Sequence, residues 1–409
     1  MGAVGLGWRP ELADVLLDDE RIAFTEVIAE NICCHLPDDL AHLRALDVPV
    51  VTHGVTLSIA SPDALDDHTT AVHLRDVARM LDSPVVSEHI AFTRAGRRPN
   101  SPHGGLLHSG HLLAPPLTKR SARVVAANAR VVADIVERPF VLENIASTMD
   151  FAESTWTEAD YFDHLASISD VGFILDVSNV LAAASLHGTD PATVIARYPL
   201  ERVAYLHIGG GVYGSDRLYR DTHTHTVHAD AWTLLRVALG NPRLRHTNVM
   251  LEWDGNFHQD RVLDEVATLS ATVGDDVAVF PGRVAPLNMP VRGLPRRGIT
   301  AYANRLNTTL RCLLHGDLPR DFGTVGARAT TDTLWGKRFF EAACADPTIR
   351  EVPDVRTRFD DYARDHPHRI SAAEDARWFR SGADHGVRLT GPARRDDPAQ
   401  ASTEVGGPG

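Results

Sequence analysis

The sequence predicts an α/β fold: a (β/α)8 TIM-type barrel followed by a small C-terminal helical extension. Two observations carry this expectation. Short apolar runs recur as far as residue 252 with helical patterns between them, and most of the runs stop at a histidine or an acid. The runs are continuous rather than alternating, which is the pattern of strands covered on both faces, as in a parallel sheet. Strand and helix together repeat at roughly 30–50 residues, the period of a barrel of about 250 residues or more.

Taken in order, the strand candidates are AFTEVI from Ala23, VPVVT from Val48, SPVVS from Ser83 and PFVL from Pro139. VGFIL from Val171, RVAYL from Arg202 and TNVML from Thr247 follow. These make seven, and the eighth is expected over 218–228, where the pattern is poor. Helices are expected from Ser61, with Pro62 at the first helical position, and after Thr118. Two more are expected over TEADYFDHLASIS and DPATVIARYP. The barrel is thus expected over 1–282. GRVAPLNMPVRGLPRRG is rich in Pro, Gly and Arg and reads as a linker over 283–299. A small helical domain is expected over 300–390. In it Tyr302, Leu306, Leu310 and Leu313 share one face, Leu334, Trp335 and Phe339 form a second cluster, and Val355, Phe359 and Tyr362 a third. Ser371 to Glu374 looks like a capping box. The tail, 391–409, has the composition of a disordered segment.

Bulk composition narrows the function. The net charge of −13 opposes a phosphate backbone, so no nucleic-acid partner is expected. No apolar run approaches the roughly 20 residues that cross a bilayer, and the N-terminus lacks a signal-peptide pattern. Four cysteines without CxxC spacing suit reduced thiols in a cytoplasmic protein.

The chemistry lies at the strand ends. VPVVTH stops at His53, PVVSEH at Glu88 and His89, and PFVLEN at Glu143 and Asn144. VGFILD stops at Asp176, RVAYLH at His207 and TNVMLE at Glu252. One such residue is ordinarily a cap or a turn; six in succession would need that explanation six times. In a parallel barrel the C-terminal strand ends share one rim, where active sites lie. Asp221 and His223, from DTHTHTVHADAW, join the ring at the weak position. Histidine and carboxylate without cysteine suit iron, manganese or catalytic zinc. The candidates are too many for one ion, so two or three metals are expected, with Glu143 as the bridge.

At HGVTLSIAS (53–61), SEHIAF (87–92), VLENIAS (141–147), ILDVSNVLAAASLHG (174–188), DTHTHTVHADAW (221–232) and LEWDGNF (251–257) the chain resembles a known family. It is similar to the multinuclear non-haem iron-dependent oxidative enzymes, long catalogued as a domain of unknown function. The resemblance covers roughly 4–275. It implies a xylose isomerase-like barrel, two or three iron ions cycling between Fe2+ and Fe3+, O2 as cosubstrate, and oxidative modification of a ribosomally made precursor peptide, often at cysteine. It also implies a partner protein that presents the peptide, unless the C-terminal domain takes its place. By position, one iron would use His53, His89 and Glu143. A second would share Glu143 and add Asp176, His207 and Glu252. A third would use Asn179, Asp221 and His223, with His187 a secondary candidate. The chain departs from the family at Ser178, where DVNN is usual, and at IGGG (208–211), where LAGH is usual. Three rival readings are a zinc phosphodiesterase-like hydrolase, a sugar isomerase, which needs a rim lysine the strand ends lack, and a non-enzymatic metal-binding scaffold.

Overall fold

The structure is a computed structural model, and it describes residues 2–33, 35–65, 68–96, 107–146, 149–274, 285–291, 293–317, 322–323, 326–367 and 371–385. The tail expected over 391–409, Cys34, and the first two positions of the expected linker lie outside the described residues.

Eight parallel strands close into a barrel. They are β1 (Val4–Gly7), β2 (Ile22–Ile28), β3 (Val50–Gly54) and β4 (Val86–His89). β5 (Phe140–Glu143), β6 (Gly172–Asp176), β7 (Val203–Gly209) and β8 (Asn248–Glu252) complete it. Each strand pairs with the next in sequence, and β1 closes on β8 through Val4 opposite Val249 and Leu6 opposite Leu251.

The eighth strand is therefore not at 218–228. It is VGLG at the N-terminus, while Tyr219–Asp221 forms a short antiparallel pair with Gly211–Tyr213 outside the barrel. Glycine hid it. A Cβ on Gly5 would stand 2.6 Å from the Phe24 ring, so the position must be bare for the large ring to fill the barrel. A strand with two glycines in four residues carries little of the propensity that marks strands in a sequence.

The continuous apolar runs follow from burial on both faces. Alternate residues Phe24, Val51, Val85, Val141, Ile174, Tyr205 and Met250 form a separate cluster inside the barrel. Their neighbours, among them Val50, Val86, Phe140, Phe173, Leu206 and Val249, join the larger core under the helices. Those helices are α1 (Ala13–Asp18), α2 (Asp38–Ala45), α3 (Thr69–Leu81), α4 (Lys119–Val136) and α5 (Glu158–Ile168). α6 (Val177–His187), α7 (Pro191–Ala196), α8 (Ala229–Gly240) and α9 (Gln259–Val273) follow. Thr118 and Thr157 cap α4 and α5 with reciprocal capping boxes. The start expected at Ser61 is displaced: α3 begins at Thr69. Ser61 instead closes a turn on Ser58, and Asn128 Nδ2 holds the carbonyls of Ile59 and Ser61.

Four further helices follow the barrel: α10 (Arg296–His315), α11 (Ala327–Ala345), α12 (Val355–Asp365) and α13 (Ala372–His385). α10 begins at Arg296, inside the segment read as a linker. Tyr302, Leu306, Leu310 and Leu313 are all buried, as their spacing predicts. Trp335, Phe359, Tyr362 and Phe379 share a core of their own. In it Arg338 meets Asp375 through two bonds of 2.8 and 2.6 Å, and Tyr362 Oη also donates to Asp375.

These helices meet the barrel on its β→α loops. Tyr302 Oη donates to the Ala60 carbonyl after β3. α10 and α11 pack on the hairpin after β4, Phe92–Ala95 with Leu107–Leu113. Arg305 bonds Glu153 after β5, and Phe322–Gly323 pairs with Asp150–Phe151 in the same loop. The extension thus covers part of the rim on which the strand ends converge. No helix among the described residues is long and apolar enough to cross a membrane.

Candidate metal centre

Two residues along seven of the eight strands from the apolar plug, the interior side chain changes character. Phe24 is followed by Glu26, Val51 by His53, Val85 by Ser87 and Val141 by Glu143. Ile174 is followed by Asp176, Tyr205 by His207 and Met250 by Glu252. A strand turns the same face inward every second residue, so these side chains form one layer across the barrel. His89 stands one layer higher, two residues beyond Ser87.

The expected ligands converge in this layer and just above it. His53, His89 and Glu143 form one group. Glu143, Asp176, His207 and Glu252 form a second, and Asp176, Asp221 and His223 a third. Within each group one ligand atom per residue lies within 4.8 Å of the others. The groups are chained, because Glu143 belongs to the first two and Asp176 to the last two. Glu143 divides its oxygens between the two groups. Oε2 faces Nε2 of His53 at 3.8 Å and of His89 at 3.6 Å, while Oε1 faces Nδ1 of His207 at 3.1 Å. Asp176 in the third group goes beyond the ligand set that the resemblance implies for that position.

Asp176 also caps α6: Oδ1 accepts from the Asn179 backbone N–H at 2.5 Å, while Oδ2 is buried with no hydrogen-bond partner. Asn179 is buried beside it, and its Nδ2 donates to the Asn144 carbonyl at 3.0 Å. That leaves Oδ1 as the atom Asn179 could offer to a third ion. His187 lies apart from all three groups, exposed at the last position of α6.

Asp221 and His223 come from the loop after β7, and glycine brings them in. A Cβ on Gly209 would stand 2.4 Å from the His223 ring, and one on Gly210 would stand 1.6 Å from the His225 carbonyl. The IGGG stretch is thus the floor on which the histidine loop lies. Ser178, the other departure, bonds both the N–H and the carbonyl of Gly209 and ties α6 to β7.

Several supporting residues escaped the sequence reading. Glu26 is the chief one. It is buried at the middle of β2, accepts from Tyr205 Oη at 2.5 Å, and faces His53 Nδ1 and His207 Nε2, each at 3.6 Å. With Ser87 Oγ 2.8 Å from His53 Nδ1, these contacts leave Nε2 of His53 and Nδ1 of His207 turned to the centre. Partners on the far ring nitrogen are what orient metal-binding imidazoles. A lone acid inside an apolar strand run, two residues beyond Phe24 and so on the same inward face, was the signal. Asp254 pairs with Arg9 and lies 3.2 Å from His223 Nδ1. Glu88 and Glu30 turn to backbone instead, Glu88 to Leu57 and His89, Glu30 to Val55 and Thr56.

Charge and unmet bonding suit a metal. Four carboxylates share the cavity. Burial, then Asp221, Glu252 and Glu143, push the Asp176 carboxyl far above its ordinary range. Burial opposes charge on His89, but Glu143 and Glu88 outweigh it and hold the imidazole at about 9. Burial likewise opposes ionisation of Glu143, yet His207, His89 and His53 bring it down to about 2. Glu143 Oε2, Asp221 Oδ1 and His223 Nε2 are, like Asp176 Oδ2, buried without a hydrogen bond. His223 Nε2 stands 2.5 Å from Asp221 Oδ2, and the carboxylate holds the imidazole pKa well above its ordinary value against the effect of burial. Cations at these points would satisfy the orphaned atoms and screen the acids from one another. Hard and borderline N and O donors fit iron, and several ions fit better than one.

Comparison with known proteins agrees in extent with the barrel. Residues 3–273 match the family model described as RiPP precursor modification enzyme MbnB/TglH/ChrH. Residues 303–385 match a second, the SCO6045-like C-terminal domain. A UPF0276 protein of Streptomyces avermitilis is 36% identical over 261 residues, 64% of this chain and 52% of that protein. This chain therefore spans about half the length of that relative. A UPF0276 protein of Caulobacter vibrioides is 32% identical over 258 residues, 62% of this chain and 87% of that protein. Among solved structures, endonuclease IV from Thermus thermophilus is 18% identical, with 66% of this chain and 98% of that one covered and a TM-score of 0.46.

Proposed function

The chain belongs to the MbnB/TglH/ChrH family of RiPP precursor modification enzymes, and from that premise we propose that it oxidises a precursor peptide, at cysteine, with O2 and a cluster of two or three iron ions. The observation that carries this is the chain of three ligand groups joined through Glu143 and Asp176. His53, His89 and Glu143 would hold one ion. Glu143, Asp176, His207 and Glu252 would hold a second, and Asp176, Asn179, Asp221 and His223 a third. Bound iron would supply one-electron chemistry with O2 and a Lewis acid for the substrate sulfur.

The rest is the work of the chain. The closed barrel wall and the apolar plug keep water from reaching the cluster from below. Glu26 and Ser87 hold His53 in one orientation, and Glu26 and Tyr205 do the same for His207. Asp254, paired with Arg9, steadies His223. Such support limits the ligand motion that would otherwise loosen each ion. The C-terminal helices, docked on the loops after β3, β4 and β5, stand where a peptide must arrive. They would present it in place of a separate partner protein.

The test is anaerobic loading with iron, metal analysis, and incubation with a cysteine-containing candidate precursor peptide. A product mass that changes only with both iron and O2 is expected. The same mass with and without O2 would remove the oxidative reading. Zinc as the retained metal, with hydrolysis, would favour the hydrolase.

A further inference from the structure

A cavity of about 490 Å³ opens beside the metal centre, between the loop after β5 and helices α5, α6 and α7. Its deep wall is apolar and buried, with Ile145, Met149, Phe151, Tyr161 and Phe162. Its mouth is polar and exposed, with Thr157, His187, Asp190, Thr193 and Arg197. An apolar interior with a few polar groups at the entrance, at a volume within the roughly 300–1,000 Å³ of ligand sites, is the build of a binding pocket. His187, which joined none of the metal groups, has its place here.

The cavity and the centre share a wall. Asn144 lines the cavity and directly follows Glu143. Its side chain brackets Asp176, accepting from the Asp176 N–H at 2.8 Å and donating to the Asp176 carbonyl at 3.1 Å. Its own carbonyl holds Asn179. Ile90, on the same wall, directly follows His89. A group seated in the cavity is thus one residue away from four of the candidate ligands, Glu143, Asp176, Asn179 and His89. The C-terminal extension braces the loop after β5 that lines the cavity: Asp150–Phe151 is paired with Phe322–Gly323, and Arg305 binds Glu153 and lies over the Phe151 ring.

We propose that this cavity takes a large apolar side chain of the peptide substrate, close in sequence to the residue delivered to the metal centre, and so selects which residue is modified. The inference rests on the peptide reading above. A peptide is the occupant because the family modifies peptides, and because the polar mouth offers bonds to a backbone while the interior is mainly apolar, with Tyr161 Oη and Glu158 Oε2 as buried polar atoms in its lining. The chain's own end does not suit it, since 391–409 contains no aromatic residue and no Leu, Ile or Met.

The probe is N-acetyl-tryptophanamide, titrated onto the full, iron-loaded chain, with hydrogen exchange to locate it and indole as comparator. Saturable binding is expected, with slowed exchange over 144–162 and 183–197, and tighter than indole because the amides meet the mouth. Ala183→Trp, which fills the cavity from α6, should weaken binding at least tenfold with iron content unchanged. Val194→Trp, on the α7 wall, repeats the test should the first variant fail to fold. No saturable binding, protection elsewhere, affinity equal to that of indole, or full affinity in a folded filled variant would each overturn the proposal. Iron content and O2-dependent peptide oxidation, measured on the same wild-type preparation, report separately on the proposed function.

Discussion

At Glu143 one carboxylate serves two neighbourhoods, and at Asp176 one carboxylate is both a helix cap and, through its unbonded oxygen, a candidate ligand. The ordinary explanation of an acid after a strand, that it caps the next helix, is true of Asp176 through one oxygen and leaves the other free. Glu26 acts at one remove, through the far nitrogens of His53 and His207. Glu26→Gln keeps the shape and removes the charge, so metal affinity should fall roughly 10–100-fold, as losses of such supports do, with the fold retained. Competition with a chelator, read as metal retained per chain, checks it; unchanged retention would mean that Glu26 only fills space. Gly210 makes a second residue-scale prediction. Gly210→Ala puts a methyl group into the His225 carbonyl, so the loop must lift. A loss of about 1–3 kcal/mol in urea unfolding, the usual cost of overpacking, is expected, together with a lower metal content as Asp221 and His223 move away.

Among the elements, the hairpin after β4 is the joint between barrel and extension. His111 lies on its second strand, Leu107–Leu113, with Nδ1 buried and unbonded, and Lys337 of α11 lies near. Burial, and then the Lys337 charge, depress its pKa to about 3. In the unfolded chain a histidine titrates near 6.5, so between those values the unfolded state binds the extra proton. The stability this histidine permits is present above about pH 6.5 and is lost as pH falls toward 3. By pH 5 the loss from this group reaches about 2 kcal/mol. His111→Gln should flatten that part of the stability–pH curve, measured by urea unfolding between pH 5 and 8. An unchanged slope would show that His111 is not the group responsible.

For the whole molecule, the arrangement is one of a plug, a ligand layer and a partial cover. The plug is the apolar interior cluster, the layer is the set two residues further on, and the cover is the four-helix extension with its own core. Arg338 and Asp375 are buried together in that core. Arg338→Met would strand a buried carboxylate, at a cost of about 3–5 kcal/mol. The expected result is early unfolding of the extension in urea, with metal still held by the barrel. Adding Asp375→Leu should recover most of the loss. Metal lost in step with the extension would mean that the cover is needed to keep the centre intact.

Much of this was legible in the linear chain. The apolar runs and the residues that end them mark seven strands and one rim, and eight of the candidate ligands do gather into three groups. Glu26, the one acid inside the apolar run AFTEVI, was open to the same reading. Other features could be settled only by the fold. VGLG is a strand because Phe24 needs the space beside Gly5, and Asp221 and His223 reach the rim because three glycines let a loop lie on the end of β7. The cavity beside Asn144 is walled by segments from 90 to 197 and strapped by residues beyond 300. Local chemistry along a chain sets which side chains can bind a metal and which face a strand turns inward. Close approach between distant segments, where one methyl group decides whether two backbones can touch, is a property of the packed molecule alone.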